Sequence, residues 1–144
     1  MGCTVSFSEQ ISPLIGRWVL AWFFLSAVWE RAGAWEATIQ LMAMQHIPAP
    51  PPLLALALLV MVVGALSLAL GYHTRHGAML LFGFTIAVTL LMHDFWHLQD
   101  AVDRAAEYRI FAGNIAIAGG LLFLVGMGPG PFALDNRVGK KKGR

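Results

Sequence analysis

Four apolar runs, separated by short polar segments, set the pattern of the chain. Uncharged stretches run from Leu53 to Gly71 (19 residues), Gly77 to Met92 (16 residues) and Ile110 to Gly128 (19 residues). A fourth, Ile11 to Trp29, holds a single charge, Arg17, near its start. A helix that crosses a bilayer needs roughly 20 mostly apolar residues. The pattern therefore predicts spans at about 12–31, 53–71, 76–96 and 110–128. The fold class that follows is all-α, a four-transmembrane-helix bundle with antiparallel neighbours. Residues 1–11 would be an N-terminal segment, 12–130 the membrane domain and 131–144 a basic tail.

The polar segments refine this. Pro13 suits a first helical turn, where its missing N–H would be unpaired anyway. Residues 33–47 read as a short amphipathic piece, and Pro48, Pro50, Pro51 and Pro52 are expected to break any helix before span two. "GYHTRHG" is a short turn between spans two and three. In "HLQDAVDRAAEYR", Leu98, Val102, Ala105 and Ala106 form a modest apolar stripe. That predicts a short interfacial helix, or a helical extension, between spans three and four. Ala112, Ala116 and Gly120 repeat at every fourth position, as in faces where membrane helices pack closely, and Gly64 and Gly83 are candidates for the same role. Asn114, deep in span four, is expected to hydrogen-bond to another helix, because lipid offers no partner. Arg17 and Arg75 are expected to snorkel to headgroups.

Composition agrees with a membrane protein: 58% of residues are hydrophobic and 12% charged, against about 25% charged in soluble domains. Mean hydropathy is +0.66. A net charge of +2 could suggest nucleic acid, but Arg137, Lys140, Lys141, Lys142 and Arg144 gather in the tail after the last span. Such a flank meets anionic lipid, so membrane lipid is the expected partner and nucleic acid is not. One cysteine, Cys3, excludes an internal disulfide or a CxxC redox pair. The first run lacks a small-residue cleavage site and more spans follow it, which argues against a secretory signal peptide.

Lysine and arginine near the span ends number seven on one side and three on the other. The positive-inside rule then places both termini and the His73–His76 turn in the cytoplasm. The loops bearing His46 and His93–His97 would face the periplasm.

The densest candidate chemistry is "TLLMHDFWHLQD" at 89–100. His93 and His97, four apart, would share a helix face, with Asp94 beside them and His46 on the same membrane side. Glu30, at the end of span one, is placed to meet His46 or His93. Three readings stand: a polar interfacial lip anchored by Trp96, a quinone or substrate pocket built from His93, His97, Asp94, His46 and Glu30, or a metal or haem site. His93, His97 and His46 are weak metal candidates, since zinc needs three or four ligands and no His-Glu-x-x-His pattern is present. His73 and His76 lie across the membrane from His93 and His97, so the two pairs do not bracket a haem.

The motifs, taken in order, resemble the DoxX family of small four-helix membrane proteins. They are Gly64; Gly71 followed by "YHTR"; "HDFW" at the end of span three; and "FAGNIAIAGGLLFLVGMGPGPFALD" across span four, with Phe111, Asn114, Gly119 and Gly120 in the family's pattern. The resemblance covers nearly the whole chain. Many members carry a glutamate in span two shortly before the equivalent of Gly64, where this chain has Val60 and Met61. The resemblance implies a four-helix fold in the bacterial inner membrane. It also implies association with redox enzymes, since some relatives resemble subunits of a thiosulfate:quinone oxidoreductase.

The expectation is an accessory subunit of a quinone-linked membrane complex, anchoring or stabilising a redox enzyme or a larger assembly. It would be a subunit rather than a stand-alone enzyme, with no intrinsic cofactor and quinone reached through the complex. The alternative is a non-enzymatic membrane protein for complex assembly or lipid binding. A small transporter fits less well, because paired broken helices are lacking.

Overall fold

The structure, a computed structural model, describes residues 7–93 and 95–135, with side chains from Ile11 onward. The basic cluster Arg137–Arg144 and Asp94 lie outside the described residues. Five helices follow in order: α1 (Phe7–Gly33), α2 (Trp35–Met44), α3 (Pro50–Leu70), α4 (Thr74–Met92) and α5 (Ala101–Met127), with a 3-10 turn at Phe95–His97 before α5. α1, α3, α4 and α5 are long and apolar enough to cross a membrane, and they form a four-span bundle.

Element ends follow local chemistry. The helix before span two ends at Met44, ahead of the proline-rich stretch, and Pro50, Pro51 and Pro52 then form the first turn of α3. The first N–H groups of a helix have no intrahelical partner, so proline costs little there. Gly71, in the left-handed region at φ 67°, ends α3, and the N–H groups of Gly71 and Tyr72 return to the carbonyls of Leu68 and Ser67. Helix α4 stops at Met92, so His93 and His97 do not share the continuous helix face that their spacing suggested. Asp100 caps α5, its carboxylate accepting from Val102 N (2.7 Å) and Asp103 N (3.1 Å). "DAVDRAAEYR" is thus the opening of α5, the extension alternative, and among the described residues the separate element between α4 and α5 is the 3-10 turn. Phe95 in that turn packs edge-on against Tyr108 and Phe111 of α5.

The four long helices pack in the sequence α1–α3–α4–α5, while α1 and α5 meet only weakly. Ala65, Leu68, Ala78, Leu81 and Leu121 are fully buried in one core with Ala21 and Phe24 of α1. That core fills the half of the bundle next to the α3–α4 turn. There α3 and α4 come close: a methyl group on Gly64 would run into Leu81, and one on Gly77 into Ser67. The small residues of α5 do not act this way. Ala112 and Ala116 are exposed, Gly83 of α4 faces open space, and a methyl group on Gly120 would only just reach Leu20, 4.0 Å away. Trp18, Trp22 and Trp29 stand outward on α1, a surface that a bilayer covers.

A polar lock closes the same end. Arg17 does not snorkel: it is 1% exposed, and its Nη2 donates to the carbonyl of Phe132 at 2.8 Å. The segment 128–135 folds back over it and removes it from lipid and water alike. Asp135 finishes the lock. Its backbone N–H donates to Gly71 O at 2.9 Å, and its carboxylate accepts from His73 N (2.7 Å) and Thr74 N (3.0 Å), the first amides of α4. Burial alone would push the Asp135 carboxyl up, but the Thr74 and His73 amides together outweigh it and hold it below the usual carboxylate range. Arg75 is exposed, with its guanidinium over Gly128.

Candidate functional site

In the opposite half, packing opens into a cavity of about 320 Å³, near the lower end of the roughly 300–1,000 Å³ range of small-molecule sites. Every helix contributes to its wall: Phe23, Phe24 and Ala27 from α1, Thr38 and Met42 from α2, Leu54, Ala57, Val60 and Met61 from α3, Thr85, Val88 and Thr89 from α4, and Asn114 from α5. His93 closes one end and Arg31 lies at the rim. The reason is topological. α1 and α5 touch near Leu20 and Gly120 and little elsewhere, while α2 and the Ile47 segment roof the gap.

The wall is largely apolar; besides Thr38, Asn114 and the rim Arg31, its polar groups form a stripe on α4. Thr85, Thr89 and His93 follow one another at four-residue spacing, so they lie along one side of the helix and its C-cap. Thr85 is 6% exposed and Thr89 0%, and neither hydroxyl has a hydrogen-bond partner. A threonine in a helix usually turns its hydroxyl back to a carbonyl of the preceding turn. Two buried hydroxyls left unpaired beside a cavity are polar groups poised for something inside it.

His93 adds an ionisable group. Its Nδ1 lies 2.7 Å from Glu107 Oε2, the side chains being 19% and 37% exposed. An ionised carboxylate only accepts, so Nδ1 carries the proton and Nε2 is left for another partner. Glu107 reaches His93 because α5 already runs as a helix from Ala101. The site can thus hold a flat apolar molecule of modest size, hydrogen-bond to its polar atoms and exchange a proton through a histidine backed by a carboxylate.

The residues expected from sequence are brought together only in part. His93 lines the cavity; His46 and Glu30 are exposed and do not. His97 is exposed in the 3-10 turn, its ring near Trp96. The carboxylate on His93 is Glu107 rather than Glu30. Asn114 is on the cavity wall, and among the described residues its amide makes no hydrogen bond to another helix. No three His, Cys, Asp or Glu side chains gather as a metal site among the described residues. Val60 and Met61, where the family resemblance anticipates an acid, line the cavity and make that wall apolar. Sequence reasoning missed Thr85, Thr89 and Glu107. The four-residue spacing 85–89–93 was the available signal for the threonines. For Glu107 it was the Asp100 cap, which starts α5 early enough to carry an acid alongside His93.

A second depression, along the outer face of α1 between Leu14, Trp18 and Trp22, has a wholly apolar wall and suits lipid chains.

Comparison with known proteins gives a consistent picture. The DoxX family model matches residues 12–94, more than half of the chain. Inner membrane protein YphA of Escherichia coli (strain K12) is 32% identical over 133 residues, covering 90% of this chain and 92% of that protein. Inner membrane protein YqjF of the same organism is 29% identical over 133 residues, covering 92% of this chain and 96% of that protein. No solved structure matches the chain.

Proposed function

Since the chain belongs to the DoxX family, whose members are small membrane proteins, we propose that it is an accessory subunit of a quinone-linked redox complex of the bacterial inner membrane. Both termini are cytoplasmic in this reading, and the cavity lies in the periplasmic half of the bilayer. The observation that carries it is the cavity itself: a largely apolar chamber holding two buried hydroxyls without partners and one carboxylate-backed histidine. Quinone headgroups are flat and apolar, with oxygen atoms that need hydrogen bonds, and the chamber matches that combination. Two curated relatives named as inner membrane proteins support the location. The chain has no cysteine pair, so electrons would come and go through a protein partner, with the bundle anchoring that partner and holding the quinone. Four long apolar faces meet lipid, and the basic residues after the last span suit anionic headgroups.

The test is purification from the native membrane in mild detergent, with mass spectrometry of co-purifying proteins and extraction of bound quinone. A stoichiometric redox enzyme and retained quinone are expected. Recovery of the chain alone, without quinone, overturns the reading in favour of assembly or lipid binding.

A further inference from the structure

Most polar groups on the cavity wall are indifferent to the oxidation state of a quinone. A quinone presents carbonyls, which only accept hydrogen bonds; a quinol presents hydroxyls, which can donate. The hydroxyls of Thr85 and Thr89 and the amide of Asn114 can each donate or accept, so they serve either form. Arg31 only donates, but it is exposed at the rim, and its Nη1 is already engaged with Ala27 O at 3.1 Å.

His93 is different. Glu107 Oε2 at 2.7 Å fixes the ring proton on Nδ1, so neutral His93 offers a bare lone pair at Nε2. A quinol hydroxyl donates into that lone pair. A quinone carbonyl placed there sets acceptor against acceptor and leaves both desolvated. Such a mismatch in a water-poor site is worth about a factor of ten or more in affinity.

We propose that the His93–Glu107 pair makes the cavity select the reduced, hydroxyl-bearing form of its ligand over the oxidised form. The inference rests on the quinone-linked reading given above. Arg31 from α1 and Glu107 from α5 are the charged groups that face this end of the cavity among the described residues; α2 and α3 line it with Thr38, Met42 and apolar side chains. Selectivity is therefore a property of one tautomer, set from outside the cavity by a residue that need not touch the ligand.

The experiment uses the full-length protein in detergent, kept anaerobic in mildly alkaline buffer. A short-chain benzoquinol and its matching benzoquinone are titrated in turn, with tryptophan fluorescence as the readout. The quinol is expected to bind about tenfold more tightly. Glu107→Gln frees the ring to take either tautomer, because an amide both donates and accepts, and the preference is expected to shrink to within about twofold. His93→Gln gives the same collapse by replacing the ring with an ambivalent amide. Equal affinities in the unsubstituted protein, or tighter quinone binding, overturn this inference and leave the quinone-linked reading standing. Full selectivity retained in both variants also overturns it. Failure of both molecules to bind overturns the quinone-linked reading as well.

Discussion

Arg17 and Phe132 are 115 residues apart in the chain, and a guanidinium nitrogen of the first lies 2.8 Å from the carbonyl oxygen of the second. The remaining Nε and Nη1 of Arg17 are buried without hydrogen-bond partners, so Arg17 holds the segment by this one bond, beside the bonds that Asp135 makes to Gly71, His73 and Thr74. Hydrogen bonds from charged donors are worth about 1.5–3 kcal/mol. Arg17→Ala is expected to lower the melting temperature in detergent and to open segment 128–135 to protease. Arg17→Met, which keeps the volume but not the bond, is expected to open the segment with a smaller loss of stability. Unchanged cleavage in both variants means that other contacts hold the segment down.

Asp135 predicts an acid-sensitive bundle end. Its carboxylate accepts the first amides of α4 and is held below the usual range. A depressed folded-state value means that the stabilisation is complete above the ordinary carboxylate pKa of about 3.9, and is lost as pH falls through the lower folded value. Asp135→Asn is expected to cost about 1 kcal/mol near neutrality, the size of a helix-cap loss. The gap from the unsubstituted protein should close once pH has fallen below that lowered folded-state value. Melting curves across pH check this, and a gap that stays constant into acid assigns the effect to something other than the charge.

The four spans were legible because lipid makes one demand, length without charge, and the runs at 53–71, 77–92 and 110–128 meet it plainly. Contacts closing those spans against one another were not. Arg17 reads as a headgroup anchor until the carbonyl of Phe132 is found above it, and a backbone acceptor leaves no mark in sequence. Thr85 and Thr89 read as ordinary helical threonines; only the gap beside them makes their hydroxyls conspicuous. His93 was found, but its carboxylate lies 14 residues on, across a helix break that periodicity did not locate. The small-residue face of α5 failed for a physical reason: small side chains permit close packing without supplying a helix to pack against.

Gly64 tests the tight half of the bundle. Its missing side chain admits Leu81, which is fully buried and has nowhere to retreat. Gly64→Val is expected to destabilise by about 1–3 kcal/mol, the usual penalty of overpacking. Gly83→Ala and Gly113→Ala meet nothing within 4 Å and should be neutral or slightly stabilising, since alanine is the better helix former. Equal losses at all three positions in thermal melts contradict the packing assignment.

Thr89 separates stability from ligand binding. Replacing a buried hydroxyl that has no partner with a methyl group removes a desolvation penalty. Thr89→Val is expected to stabilise the ligand-free protein by up to about 1 kcal/mol and to weaken retention of bound quinone. A variant that loses stability and retains quinone assigns Thr89 to the fold instead.

The strap formed by residues 128–135 also bears on the order of assembly. Synthesis delivers α1, the α3–α4 turn and Arg17 early, yet the partners that neutralise their exposed polar atoms, the carbonyl of Phe132 and the carboxylate of Asp135, emerge only after the fourth span. Until then the first amides of α4 are uncapped and a guanidinium sits at the bundle end without its acceptor. A chain stalled or cut before residue 128 therefore carries an unfinished polar surface at the membrane boundary, and the bundle end is sealed only after the fourth span has emerged.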